Sequence, residues 1–99
     1  MLYAIISQDV DDSLALRKQV RSAHIERLNT LRDDGRLILA GPFPAIDSAE
    51  PGDSGVSGSL IVAEFNSLSE ATSWADADPY KIVGAYSNVT VKPFKKVLP

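Results

Sequence analysis

The sequence predicts an α+β fold in which four strands form an antiparallel sheet and helices cover one of its faces, in the order βαββαβ. Three observations predict it. Bulky β-prone runs stand near both ends, LYAIIS at residues 2–7 and a stretch from about Tyr86 to Phe94 that alternates through Val89, Thr90 and Val91. Two further apolar runs, RLILAG at 36–41 and SLIVAEF at 59–65, lie between them. Stretches of helical period separate the first run from the second and the third from the fourth.

The elements follow in order. The first strand stops at the polar QDVDD, which supplies Asp11, Asp12 and Ser13 as helix-cap candidates and suits the positive end of a helix dipole. The long helix runs from about Ser13 to Asp34, and Gly35 is free to take the left-handed conformation that ends it. RLILAG reads as a buried strand. From Pro42 to Gly58 the periodicity is lost in a stretch holding three prolines, three glycines and three serines, which reads as a long loop, either a lid or a disordered segment. After the third strand, Ser67 and Glu70 form a capping box, opening a helix that turns Leu68, Ala71 and either Trp74 or Ala75 inward. Asp78-Pro79 begins a further short turn or helix. This is the split βαβ, or ferredoxin-like, order.

Composition sets limits on function. A chain of 99 residues without repeats or linkers is expected to form one domain, residues 1–99. At 44% hydrophobic it builds a thin core that association would support. Helices on one side leave the other face of so apolar a sheet bare, so a homodimer is expected. A net charge of -3 argues against nucleic acid as a partner, and the basic tail KPFKK is too short to reverse that. Without cysteine there is neither disulfide nor thiolate chemistry. No signal-peptide pattern and no apolar run of the ~18–20 residues that span a bilayer is present, so a cytoplasmic protein away from membranes is expected.

His24, the one histidine, carries the chemical argument. At 100° per residue, Val20 and Leu28 flank it at about 40° on either side and Leu31 lies about 20° away, in the middle of the apolar stripe. Arg21 and Arg17 share the same sector. A titratable ring placed where leucine would pack better needs a partner, because an unpaired buried polar group costs roughly 1–3 kcal/mol. Asp78 is the favoured carboxylate, and Asp76 competes with it. The plainer alternatives are that His24 is a satisfied core or interface residue and that Asp78 is a helix cap. Gly41-Pro42 could leave amides open to an anion, although such a pair more often makes a turn, and Arg21 could clamp a carboxylate or carbonyl. Ser48, Ser54 and Ser57 lack a nucleophile elbow, one histidine among scattered carboxylates is a weak metal set, no nucleotide fingerprint exists, and Trp74 reads as core.

Several segments together resemble a known family. MLYAII, Arg21-Ser22-Ala23-His24, Asp33 to Leu37, Ala40-Gly41-Pro42, WADADPY and KPFKKV are similar to the YCII-related family of the dimeric α+β barrel superfamily, over essentially the whole chain. The resemblance implies a dimer whose two sheets face one another, and a histidine and an aspartate, here His24 and Asp78, proposed to be enzymatic. It also implies kinship with a dehydrochlorinase of a chlorinated hydroxyquinol and, more distantly, with lactone isomerases and cofactor-free monooxygenases.

The expectation is therefore a small enzyme needing no cofactor and no metal. His24 would move protons on a small polar cyclic or aromatic substrate in a lyase or isomerase reaction, Asp78 would orient it, and Arg21, Gly41 and Pro42 would bind the substrate. The alternative is a non-catalytic dimer that binds a small molecule or a partner.

Overall fold

Residues 1–99 are described in a computed structural model. The elements are β1 (Leu2–Asp9), α1 (Leu14–Asp33), β2 (Leu37–Pro44), β3 (Val56–Glu64), α2 (Leu68–Asp76), α3 (Pro79–Ile82) and β4 (Tyr86–Phe94), with a single 3-10 turn at Gly52–Ser54. The sheet order is β2-β3-β1-β4 and every pairing is antiparallel, the ferredoxin-like arrangement expected.

Alternation along the strands fixes what each face carries. Tyr3 stands opposite Ala63 and Ile5 opposite Ile61, and all four point to the helices, where they pack with Leu28 and Leu31 of α1, Phe65, and Ala71 and Ala75 of α2. Two residues further along the same face the pair becomes Ser7 opposite Ser59, both buried. The opposite face of the sheet leaves Ile6, Leu39, Phe43 and Phe94 between 39% and 47% exposed.

α1 ends in a Schellman motif: Gly35 takes φ +73°, its N–H bonds the Arg32 carbonyl, and Arg36 N–H bonds the Leu31 carbonyl. Its start differs from expectation. No side chain of Asp11, Asp12 or Ser13 caps it, since the Ser13 hydroxyl is turned away to the Asp9 carboxylate. At α2 the Ser67 hydroxyl accepts from Glu70 N–H at 3.0 Å, as the capping box predicts, while the Glu70 carboxylate reaches Asn66 N–H. Leu68 is not inward but 45% exposed. Helical side chains lean toward the N-terminus, and at the first residue of a helix no preceding turn lies beneath them.

Two expectations about β2 are corrected. RLILAG is not buried: only Arg36 and Leu37 are even half-buried, and Ile38 to Pro44 are exposed, because β2 is the edge strand and has helical cover only at its start. The loop is also shorter than the stretch from Pro42 to Gly58. β2 continues through Pro44, pairing Pro42 with Ser59 and Phe43 with Gly58, so the connection spans only residues 45–55. Proline is tolerated there because an edge strand has a free side that needs no N–H donor.

Gly58 holds β3 against β1. A β-carbon at this position would lie 2.0 Å from the Ser7 carbonyl oxygen, whereas one at Gly41 would meet nothing within 4 Å. Gly58→Ala is expected to destabilise the fold by about 2–3 kcal/mol or more, and Gly41→Ala by well under 1 kcal/mol, as measured by denaturant unfolding.

Candidate active site

α1 carries one buried face formed by Arg17, His24, Leu28 and Leu31. Its C-terminal half closes the apolar core, and its N-terminal half supplies polar groups. His24 Nδ1 lies 3.0 Å from Asp78 Oδ1, both side chains being buried. Asp78 is placed by local chemistry. It sits in an extended conformation ahead of Pro79 and caps α3, its Oδ1 accepting the Tyr80 N–H at 2.9 Å. An ionised carboxylate only accepts, so the His24 proton is on Nδ1, and Nε2 remains the nitrogen available to a ligand. Asp76, the sequence competitor, is exposed and paired with Lys81.

Tyr80 completes the holding of the ring. Its ring stacks on His24 with centroids 4.0 Å apart and planes 20° from parallel. The Arg17 guanidinium lies 4.6 Å from the Tyr80 centroid. Arg17 and His24 are seven residues apart on α1, about 10 Å along the axis, so the tyrosine ring is held between them. Arg17 is itself fixed: Nε and Nη2 donate to the two Asp9 carboxylate oxygens at 2.6 and 2.8 Å, and Nη2 also donates to the Gly58 carbonyl at 3.3 Å. Burial disfavours the Arg17 charge, but the hydrogen bond and charge of Asp9 outweigh it and hold the group above its usual value. Burial raises Tyr80 and pushes Tyr86 up to about 12, against the opposing bond with Ser59, whose hydroxyl is 2.7 Å from the Tyr86 oxygen.

These groups border a cavity of about 280 Å³ between α1 and β2. His24 lines it together with Arg17, Arg21, Tyr80 and Ser59, and Gly41 and Pro42 form the β2 wall. The structure therefore gathers His24, Asp78, Arg21, Gly41 and Pro42 in one region. Gly41 and Pro42 belong to the β2 ladder and do not form a strand-ending turn. Arg21 is exposed at the rim. Trp74 is half-buried, not fully core, with Arg27 lying 4.2 Å over its ring. No three histidine, aspartate or glutamate side chains converge as metal ligands.

Sequence reasoning assigned no role to Arg17, Tyr80, Ser59 or Tyr86. Spacing puts Arg17 about 20° from His24 on the helix, but its role depends on Asp9 and Tyr80, which helix geometry does not show. Tyr80 follows Asp78 by two in the Asp-Pro-Tyr run, but its stacking depends on how α3 docks, which spacing does not show.

A YCII-related domain model matches residues 1–95. The chain belongs to the YCII-related family. Among its relatives, the protein YciI of Escherichia coli is 58% identical over 97 residues, covering 98% of this chain and 99% of that one. An uncharacterized protein of Haemophilus influenzae is 46% identical over the same span, again covering 98% of this chain and 99% of the relative. A similar solved structure is the 5-chloro-2-hydroxyhydroquinone dehydrochlorinase of Burkholderia phenoliruptrix in complex with 2,5-dihydroxybenzoquinone, with a TM-score of 0.84 and 26% identity over 96% of this chain and 94% of that one. It shares the α+β fold with helices packed on one sheet face. No helix of the family member described here is long and apolar enough to cross a membrane.

Tyr86 gives this region a titration signature. Because its folded value is about 12 against an ordinary 10, its contribution to stability is complete below pH 10 and is lost as the pH rises toward 12. Phenolate absorbance is expected to show a tyrosine titrating near 12 that disappears in Tyr86→Phe, and unfolding free energy is expected to fall over that window in the wild type more than in the variant.

Proposed function

We propose that this protein is a cofactor-independent enzyme in which His24, oriented by Asp78, transfers a proton on a small, polar, cyclic or aromatic substrate. One observation carries the reading: a buried imidazole is fixed through Nδ1 by a carboxylate while its ring borders a cavity large enough for a single ring. Nε2 takes a proton from a carbon or hydroxyl of the substrate, and Asp78 stabilises the imidazolium until the proton is returned to another atom or a leaving group departs. That is lyase or isomerase chemistry, and acid–base assistance of this kind supplies about 10²–10⁴-fold, enough for an activated ring. Arg21 and the backbone around Gly41 and Pro42 would hold a substrate oxygen. The likeness to a dehydrochlorinase of a hydroxylated ring supports this substrate class.

Substitution separates catalysis from structure at Asp78. Asparagine keeps the Oδ1 that caps α3 and faces His24 Nδ1, but removes the negative charge that would stabilise the imidazolium. The readout is enzyme-dependent exchange of carbon-bound protons for solvent deuterium in a panel of hydroxybenzenes and cyclic diketones. His24→Gln is expected to lower exchange by about 10²–10⁴-fold with ring binding retained, and Asp78→Asn to lower it by at least tenfold with little change in stability. Full exchange in Asp78→Asn would make Asp78 a helix cap only, and full exchange in His24→Gln would remove the proposed mechanism.

We also propose that the exposed apolar sheet face is covered by a second copy. Ile6, Leu39, Phe43 and Phe94 lie on the face opposite the helices, and a bare apolar patch of that kind marks an interface. At micromolar concentration the protein is expected to sediment at twice its 10.7 kDa chain mass. Leu39→Asp with Phe43→Asp, both on the edge strand, is expected to yield folded monomers.

A further inference from the structure

Beside the His24 cavity a second depression of about 250 Å³ follows α1 toward its N-terminus. Lys18 lines it with the apolar Leu14 and Val56, and it shares Arg17, Arg21 and Tyr80 with the first cavity. The two are therefore adjoining parts of one cleft. All three charged residues of the second part are cationic, and no carboxylate lines it. They are not equivalent. The Arg17 charge is met by Asp9, while Lys18 and Arg21 enter no ion pair. Lys18 also borders a third depression that holds Asp12 and Asp53, so Arg21 is the cation committed to the cleft.

We propose that this second depression is an anion subsite, and that the substrate of the site is a ring bearing a short acidic side chain. The ring lies beside Tyr80 within reach of His24, and the acid is held by Arg21 and Lys18. The helix sets the spacing: Arg21 precedes His24 by one turn, about 4.5 Å, and Lys18 by nearly two, about 9 Å, which suits an arm of two or three carbons. Leu14 and Val56 give that arm apolar walls, and the rigid Arg17–Asp9 pair forms the floor between the two parts. The inference rests on the reading of the His24 cavity as the reacting site.

The test uses two probes of one shape, 4-hydroxycinnamate and its neutral amide, titrated into the protein while the His24 ring resonances are followed by NMR. Both should shift those resonances, with the acid binding about tenfold tighter than the amide, the yield of two solvent-exposed charge contacts. Added salt should weaken the acid alone. In the variant carrying Lys18→Gln and Arg21→Gln, two exposed positions whose change leaves the core untouched, the preference for the acid over the amide should disappear, the two probes binding equally whatever affinity the amide keeps there. Equal affinity for acid and amide, with His24 shifted by both, would overturn the anion subsite and leave the proton-transfer reading standing. An acid preference that survives in the double variant, acid binding that leaves His24 unmoved, or no binding of the acid at all would overturn it too. The proton-transfer reading falls separately, on deuterium exchange that persists without His24.

Discussion

Oδ1 of Asp78 accepts two hydrogen bonds, one from the Tyr80 backbone and one from the His24 ring, and the polar half of the molecule is organised around that atom. The first bond is local. It lies within α3 itself, because an aspartate ahead of proline is an efficient cap. The cap and the bond to His24 thus share one acceptor, so the carboxylate that fixes the start of α3 also faces α1. Removing the carboxylate would leave two buried donors unpaired, each at roughly 1–3 kcal/mol, more than a surface ion pair contributes. Tyr80, brought in by the same short helix, then stacks on the ring and restricts its tilt. One cap therefore fixes tautomer, position and plane together.

The rest of the helical layer follows a gradient along the sheet. On β1 the inward residues run Tyr3, Ile5, Ser7 and Asp9; on β3 and the residue just after it they run Phe65, Ala63, Ile61 and Ser59; on α1 they run Leu31, Leu28, His24 and Arg17. Each element passes from apolar to polar in the same direction in space. One end of the layer supplies stability, and the other tolerates buried charge. The Asp9–Arg17 pair illustrates the distinction. Desolvation of two buried ions consumes most of their attraction, so such a pair is a poor source of stability compared with packed apolar side chains. What it does provide is a guanidinium held by three hydrogen bonds against the face of Tyr80, behind the ring that orients His24.

Much of this was legible in the sequence, for physical reasons that can be named. The inward position of His24 follows from the 3.6-residue period, the α2 cap from Ser67 and Glu70, and the end of α1 from Gly35. The fold order follows from the alternation of periods. What failed to show was whatever depends on the environment of an element and not on its own residues. RLILAG has the composition of a buried strand, and only the sheet order makes it an edge. Pro42 and Pro44 look like loop residues until the strand they occupy is known to have a free side. Ser13 is a natural cap, yet Asp9 lies closer and takes its hydroxyl. Of the site, His24, Asp78 and Arg21 could be named in advance; Arg17, Tyr80 and Ser59 needed the packing of three separate elements.

The same gradient bears on the proposed second copy. Part of the space beneath the helices is given to the buried Ser7, Ser13, Arg17, His24, Ser59 and Asp78, and the main apolar cluster has nine buried residues, three of them alanine. A domain of this size is marginal even when its core is apolar throughout, since it buries a smaller fraction of its surface than a larger one does. The sheet's other face carries the missing apolar area in Ile6, Leu39, Phe43 and Phe94. Burying those four side chains against a partner at about 25 cal/mol per Å² returns several kcal/mol, comparable to what a fully apolar helical layer would add. Under the proposed pairing, association and the site would be linked through stability: covering that face would offset the cost of keeping charge beneath the helices. The edge strand β2 connects the two, because its residues alternate between that face at Leu39 and Phe43 and the cavity wall at Pro42. A change that loosens the proposed sheet-to-sheet contact would therefore reach the site through β2 before it reaches His24 itself.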